Sequence, residues 1–138
     1  MNILHIFTKQ RLIGNIGERA VCKHLKRRGY KILKTNYVEC GHEIDIIAEN
    51  KEYICFTEVK TRTVGHEDSR ESRPAAAVNK RKQLSIISAS RLFCEISRYK
   101  NKKFRFDVAE VFLNEKKKTE KINYMENAFS VDYAYAVR

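Results

Sequence analysis

Acidic and basic side chains are concentrated on two neighbouring segments in the first half of the chain. Segments 43–48 and 53–61 are rich in apolar residues and are separated by four polar residues, a length and composition typical of a hairpin turn. Alternate side chains of a strand share a face, so Glu58 and Lys60 point the same way, as does Arg62. One face of the predicted hairpin therefore changes from apolar to charged.

The pairing of these two strands decides whether their acids meet. If the turn is centred on residues 50 and 51, Glu43 lies opposite Glu58, and Asp45 lies opposite Phe56 and diagonal to Glu58. Opposed carboxylates repel each other, and a bound cation would remove the conflict. Mg²⁺, or Mn²⁺ in its place, prefers oxygen ligands and is usually held by one or two carboxylates, with phosphate oxygens completing the shell. The pattern predicts a metal site of Asp45, Glu58 and Glu43; the alternative is a solvent-facing charged hairpin end.

The composition indicates a folded chain with a polyanionic partner. The 138 residues are 43% hydrophobic and 33% charged, as in globular proteins, and the formal charge of +11 favours nucleic acid. An anionic membrane surface or simple solubility would also fit that charge. No run reaches membrane-spanning length, and the opening residues lack a basic leader, so we expect a cytoplasmic protein. The four cysteines show no paired spacing, which favours reduced thiols over a zinc site.

Helix and strand signals then alternate along the chain. Asn15 and Glu18 have the spacing of a capping pair, which predicts a helix that opens there and ends at Gly29. Residues 1–13 are accordingly interpreted as an N-terminal extension and 14–138 as one domain. Residues 30–37 alternate as a strand, and the two hairpin strands follow.

The second half of the chain continues the alternation. Residues 63–73 are polar and aperiodic, which predicts a loop. Pro74 suits the first turn of a long helix that runs to about Tyr99. Residues 104–113 alternate as a strand, with 122–125 as its partner across a lysine-rich turn. The predicted order is α-β-β-β-α-β-β.

The spacing of the acids resembles a known nuclease signature. Asp45, twelve intervening residues and then Glu58-Val59-Lys60 are similar to the PD-(D/E)XK motif. A wider series of residues, from about 14 to 129, resembles the YraN family of predicted bacterial endonucleases. The residues that carry this resemblance are Gly17-Glu18, Leu25, Gly29-Tyr30, Ile32-Leu33, Asn36-Tyr37, Glu43-Ile44-Asp45, Phe56-Thr57-Glu58-Val59-Lys60, Ala77-Val78, Lys82-Gln83 and Arg105-Phe106-Asp107.

The resemblance implies a restriction-endonuclease-like α/β (α+β) fold, in which helices flank a central mixed β-sheet, close to the Holliday junction resolvases. It also implies that Glu18 joins the catalytic set of Asp45, Glu58, Lys60 and Glu43. The other interpretation of Glu18 is a capping partner of Asn15, and the two roles conflict. His42 departs from the family's usual Gly-Glu-Ile-Asp order and is left out of the site, and the loop at 63–73 looks longer than usual.

Basic residues near the motif are candidates for nucleic-acid binding. Lys82 matches the family pattern, and Lys80, Arg81 and Arg62 are added by position, although a solvated face is the alternative for Lys80 and Arg81.

The function predicted is metal-dependent hydrolysis of phosphodiester bonds in DNA, including branched or damaged DNA, with Mg²⁺ or Mn²⁺ as cofactor. A non-catalytic nucleic-acid-binding module on the same scaffold is the alternative, and a basic protein-interaction domain is the third. The resemblance to branched-DNA enzymes also implies a homodimer.

Overall fold

The computed structural model of the chain describes residues 3–63, 78–97 and 102–131. These residues form two helices and five strands in the predicted order. The elements are α1 (Ile3–Arg27), β1 (Lys31–Glu39), β2 (His42–Glu49), β3 (Tyr53–Thr63), α2 (Lys80–Ser97), β4 (Lys103–Leu113) and β5 (Thr119–Phe129).

The strands form one mixed sheet in the order β1-β2-β3-β4-β5. Only the β3–β4 pair is parallel, because α2 lies between these strands in the chain and returns it to the same end of the sheet. The other three pairs are antiparallel. The predicted α+β class, with a mixed sheet and flanking helices, is confirmed.

Each face of the sheet is covered by one helix. Val21 and Leu25 of α1 pack with apolar residues of β2 and β4, including Ile46 and Val111. On the other face α2 packs with an aromatic cluster centred on Phe56, whose neighbours are Phe93, Phe104 and Phe106. Central strands are therefore buried on both sides, so consecutive residues are buried at 54–58 in β3 and at 105–111 in β4, including several polar ones.

Helix α1 begins earlier than the sequence predicted. It runs without interruption from Ile3, so Asn15 lies inside the helix and the predicted capping pair with Glu18 is wrong. The end of the helix is as predicted: Gly29 has φ +87°, and Tyr30 N–H donates to the Leu25 carbonyl at 3.0 Å. The division of the chain into an N-terminal extension, residues 1–13, and one domain, residues 14–138, stays a prediction.

Helix α2 begins later than predicted. Asn79 is the N-cap, because its side-chain oxygen accepts from Lys82 N–H at 2.9 Å and its carbonyl accepts from Gln83 N–H. A continuous helix from Pro74 is therefore wrong, because residues 78 and 79 are not helical. Residues 74–77, residues 64–73 of the predicted loop and the predicted helix end at Tyr99 lie outside the described residues. Strand β5 is longer than the predicted 122–125, because the turn before it is tight.

Neither helix in the described part of the chain has both the length and the apolar character needed to cross a bilayer. The four cysteines are free thiols, with Cys55 and Cys94 buried and Cys40 exposed in the turn before Gly41.

Candidate functional site

The two strands that carry the acids pair in a register two residues away from the predicted one. Ile47, not Asp45, lies opposite Phe56, and the turn residues are 51 and 52. The predicted opposition of Glu43 and Glu58 is therefore wrong. A shift of two residues leaves every side chain on its original face, so Asp45 and Glu58 still meet. Continued past its last pair, Ile46 with Thr57, this register brings Asp45 level with Glu58.

The alternation of side chains between the two faces of β2 is interrupted at Asp45. Ile46 packs against α1, whereas Ile44 packs in the cluster under α2, although side chains two apart on a regular strand share a face. Opposite this point on β1, Asn36 has a left-handed φ of +49°, between the pairs Thr35–Ile46 and Tyr37–Ile44. Both strands are thus irregular at the same level of the sheet. Asp45 stands at the point where β2 leaves its regular pairing.

The Asp45 side chain accepts a hydrogen bond from a backbone N–H group of β3, in place of a backbone carbonyl of β2. Its Oδ2 accepts a hydrogen bond from Val59 N–H at 2.8 Å, on the strand that β2 is leaving. This contact holds the carboxylate in the gap between β2 and β3. It also places it beside Glu58, which precedes Val59 on β3.

Glu58 is a buried acid in surroundings of mixed charge. Its side chain is 6% exposed, and Oε2 has no hydrogen-bond donor among the described residues. Burial, followed by the charge of Asp45, raises the pKa of Glu58 to about 7, against the lowering effect of Lys82 and Lys60. At neutral pH this carboxyl group is therefore close to its midpoint.

Two lysines approach the other oxygen of Glu58. Lys60 Nζ lies 3.6 Å and Lys82 Nζ lies 3.9 Å from Glu58 Oε1. Lys60 comes from the same strand and Lys82 from the first turn of α2, and their side chains are 39% and 36% exposed. Each ammonium group therefore faces the buried acid while keeping contact with solvent. The sequence predicted Lys82 as a contact to the nucleic-acid backbone and missed its place beside Glu58, because no local pattern indicates a contact between a loop-separated helix and strand.

Glu18 and Glu43 extend the acidic group on the side of α1. Burial, then the charge of Asp45 and to a smaller degree that of Glu43, raises the pKa of Glu18, while a hydrogen bond with Asn36 lowers it. Since Glu18 is free of any capping role, the conflict between its two predicted roles is removed. Glu43 itself is exposed. Asn36 was not predicted to belong to the site, although an asparagine inside a strand is a signal for a left-handed residue.

Arg62, the basic residue of β3 predicted to bind nucleic acid, forms an ion pair with a buried acid. Arg62 Nε donates to Oε2 of Glu110 at 2.9 Å, and the Glu110 side chain is fully buried. Arg62, itself 40% exposed, is thereby fixed two residues beyond Lys60 on the same strand. Lys80 is half-buried and Arg81 is exposed at the start of α2.

A buried polar network supports β3 from the face opposite Glu58. Asp107 is fully buried and accepts from Arg105 Nε, Tyr124 Oη and the backbone N–H of Asn127, at 2.9, 2.5 and 2.9 Å. Tyr124 Oη also lies 3.0 Å from Thr57 Oγ1. Because Thr57 precedes Glu58, this chain of hydrogen bonds ties the strand of the site to β4 and β5.

His42 contacts helix α2. Its Nδ1 lies 2.6 Å from Ser85 Oγ, which joins the start of β2 to α2. The omission of His42 from the site stays a prediction.

The donor set fits a hard divalent cation and not a zinc-type centre. In the described ranges no group of three or more His, Cys, Asp or Glu side chains is arranged to hold a metal ion. The carboxylates of Asp45 and Glu58 do lie close enough to interact, and Oε2 of Glu58 is buried without a hydrogen-bond donor among the described residues. Mg²⁺ is commonly held by one or two carboxylates with water and phosphate oxygens at its other positions. Asp45 and Glu58 could hold such an ion. Glu18 interacts electrostatically with Asp45 and Glu43, so both glutamates could help to balance the charge of the ion.

Fold and site together define an α+β protein in which an acidic pair and two lysines lie where two strands of a mixed sheet separate. The model of the family described as "Uncharacterised protein family UPF0102" matches residues 17–111, a span that includes every acid and lysine of this site. The chain belongs to this family.

Curated relatives match along most of their length. The UPF0102 protein of Caldanaerobacter subterraneus subsp. tengcongensis is 39% identical over 121 residues, which are 87% of this chain and 96% of the relative. The UPF0102 protein of Alkaliphilus oremlandii is 45% identical over 119 residues, covering 85% and 97% of the two chains. The Clostridium acetobutylicum protein is 40% identical over 118 residues, covering 86% and 93%.

Proposed function

We propose that this protein is a metal-dependent nuclease that hydrolyses phosphodiester bonds of DNA, with branched or damaged DNA as the substrate class. The observation that carries the proposal is the meeting of Asp45 and Glu58 in the gap between β2 and β3, with two lysines on one Glu58 oxygen. The similarity of these residues to the PD-(D/E)XK motif and to the YraN family supports the same activity. The charge of +11 supports a polyanionic substrate.

The acids would hold the cofactor and must be ionised to do so. Asp45 and Glu58 are the proposed ligands of Mg²⁺ or Mn²⁺, with Glu43 and Glu18 contributing charge or a further oxygen. When bound, such an ion polarises the phosphodiester and lowers the pKa of a water molecule. Because the pKa of Glu58 is about 7 without metal, protonation at lower pH competes with ligation.

The lysines would act on the phosphate and on the attacking water. Lys60 Nζ lies 3.6 Å from Glu58 Oε1 and is partly exposed, so its remaining N–H groups can donate to a phosphate oxygen or orient a water molecule. Its charge would also offset the negative charge that develops in the transition state. Lys82 Nζ would share these tasks or hold Glu58 in place.

Cleavage assays test the proposal. Purified protein is incubated with four-way-junction, nicked, duplex and single-stranded DNA in Mg²⁺, in Mn²⁺ and in EDTA. We expect metal-dependent cleavage that Asp45→Asn and Lys60→Ala reduce by at least a hundredfold. Lys51→Ala, at the far end of β3, is the matched control and should cut normally. Cleavage that survives Asp45→Asn would assign the activity to a contaminant or another site.

The alternative proposal is a nucleic-acid-binding module without turnover on the same scaffold. The observation in its favour is that the described residues supply only two converging carboxylates and not a group of three. Salt-dependent DNA binding with no metal-dependent cutting under any of these conditions would select it.

A further inference from the structure

The turn between β4 and β5 presents three consecutive lysines, and these belong to no part of the site described above. Lys116, Lys117 and Lys118 are exposed, as are their acidic neighbours Glu115 and Glu120. With Lys121, this segment carries four lysines against two glutamates. The segment is therefore positively charged in itself and also contributes to the positive charge of the whole chain.

The topology places this turn at the same end of the sheet as the candidate site. Because β3 and β4 are parallel, the chain leaves both strands at one end, and Thr63 lies beside Leu113, the last residue before the turn. In the same register Lys60 lies beside Glu110, three residues earlier. At about 3.3 Å per residue the turn therefore begins roughly 10 Å beyond Lys60.

The turn is held in one conformation by its own hydrogen bonds. Asn114 Oδ1 accepts from the backbone N–H groups of Lys116 and Lys118 at 2.9 and 3.0 Å. Asn114 N–H donates to the Lys118 carbonyl, and Lys117 N–H donates to the Asn114 carbonyl. The lysine side chains thus project from a fixed backbone, which lowers the entropy lost when they meet a partner.

Lys117 occupies a backbone conformation that does not suit a lysine. Its φ is +59°, in the left-handed region that glycine and asparagine adopt most readily. Glycine would fit the turn better, so the lysine is the residue that the fold itself least requires. An observed outlier of this kind points towards a role for the side chain.

We propose that this lysine turn, Lys116–Lys118, binds the phosphate backbone of nucleic acid next to the candidate site and sets where the strand lies relative to Lys60. The inference rests on the proposed function for the identity of the partner. Phosphates along one strand of a duplex are about 3.4 Å apart along the axis, so an offset of roughly 10 Å along β3 corresponds to roughly three nucleotides. The segment carries no apolar face of the kind that a membrane-surface element needs.

The β2–β3 turn provides a matched control at the opposite end of the sheet. There Asn50 Oδ1 accepts from the backbone N–H groups of Glu52 and Tyr53, in the same manner as Asn114, and Lys51 is exposed. Lys51→Gly and Lys117→Gly therefore remove the same charge from two turns that an asparagine side chain closes. Their positions differ by the full length of β3.

The experiment measures DNA binding by fluorescence anisotropy with the full chain and a labelled nicked duplex, in EDTA so that no turnover occurs, from 50 to 200 mM salt. We expect Lys117→Gly to weaken binding severalfold at 50 mM and to lower the slope of log affinity against log salt by about 0.9. Between 50 and 200 mM salt the affinity of the variant should therefore fall by a factor that is roughly three- to fourfold smaller than for the unsubstituted chain. Adding Lys116→Gln and Lys118→Gln should lower the slope by about two further units, whereas Lys51→Gly should leave it unchanged.

Thermal unfolding separates binding from folding. The midpoint of Lys117→Gly should be no lower than that of the unsubstituted chain, because glycine relieves the left-handed conformation. Equal slopes for Lys117→Gly and Lys51→Gly, or no binding by any variant, would overturn the inference. If DNA is bound through the turn but never cut in Mg²⁺ or Mn²⁺, the nuclease proposal fails and the lysine turn stands. If DNA is cut while both glycine variants bind alike, only the lysine turn fails.

Discussion

Glu58 is the residue in which the demands of folding and of the proposed metal binding oppose each other. The fold buries it beside Asp45 and leaves one of its oxygens without a donor in the described structure, while two lysines approach the other oxygen. The net result of these surroundings is a raised pKa, so the ionised form is less favourable in the folded chain than in the unfolded one. A buried acid of this kind is a candidate for function on physical grounds.

The substitution Glu58→Gln should therefore stabilise the metal-free protein at high pH. The folded pKa is about 7 and the ordinary value is 4.5, so the stabilisation from protonating Glu58 is complete below about pH 4.5 and is lost as the pH rises through 7. Over that window the unsubstituted chain loses about 1.4 kcal/mol per pH unit from this group, whereas the glutamine side chain of the variant does not titrate and loses nothing.

Urea unfolding in EDTA at pH 5 and pH 8 measures this difference. The free energy of unfolding of the variant, relative to the unsubstituted chain, should increase between the two pH values. Glu52→Gln, which removes a carboxyl group from an exposed turn, is the control variant. A difference for Glu58→Gln that stays constant with pH would show that Glu58 is ionised as easily when folded as when unfolded.

At the scale of elements, the position of the site depends on how closely α1 approaches β3. Gly17 is buried in α1, and a Cβ atom there would lie 1.9 Å from Thr61 Oγ1 and 3.0 Å from Thr61 Cβ. No rotation of the threonine removes the second contact, since Cβ is fixed to the backbone. Glycine is thus required at this point by the distance between helix and strand. Glu18, the next residue, is carried towards Asp45 by the same close approach.

Gly17→Ala should destabilise the protein by about 1 to 3 kcal/mol, because the new methyl group forces the helix away from the strand. Gly14→Ala is the matched control, since it lies in the same helix with nothing within 4 Å of the added atom. It should stabilise the protein by up to about 1 kcal/mol through helix propensity. Chemical denaturation compares the two. Thr61→Ala should partly rescue Gly17→Ala, and a Gly17→Ala variant as stable as Gly14→Ala would contradict the observed packing.

Local sequence patterns predicted the helices and strands, but they did not predict where the helices begin, how the strands pair or how α2 packs. Period-two alternation and the turn residues predicted all five strands, because a half-buried strand must alternate. The start of α1 was wrong because Asn15 has the chemistry of a cap, yet the helix continues through it to Ile3. The register was wrong by two residues because such a shift preserves which side chains face the core. The position of Lys82 beside Glu58 depends on how α2 packs against the sheet, and the spacing of residues along the chain does not indicate this packing.

At the scale of the whole molecule, the strong positive charge and the small acidic cluster have opposite effects on small ions. The chain as a whole repels cations, with a formal charge of +11, whereas Asp45, Glu58, Glu43 and Glu18 form a local concentration of negative charge. The proposed binding of a divalent cation therefore depends on this cluster and not on a general attraction.

Mg²⁺ or Mn²⁺ should accordingly raise the thermal midpoint of the protein in a saturable manner. At a hundred times the dissociation constant, binding to the folded state alone contributes about 2.7 kcal/mol. Differential scanning calorimetry with increasing MnCl₂, against NaCl of equal ionic strength, measures the effect, and EDTA should reverse it. Asp45→Asn should abolish the shift, whereas Lys51→Ala should retain it. A shift of equal size in Asp45→Asn would place the ion elsewhere.

The parallel pairing of β3 with β4 also bears on the order in which the chain assembles. Asp45 and Glu58 belong to one antiparallel hairpin, and contacts of such short sequence separation form within microseconds. The β3–β4 pair must wait for α2 to cross over the sheet, a slower, long-range step. Before that step we expect Glu58 to be hydrated and, at neutral pH, ionised. We expect docking of α2 to remove water from Glu58 and to bring Lys82 beside it, so that this step completes the candidate site and becomes less favourable as the pH rises towards 7.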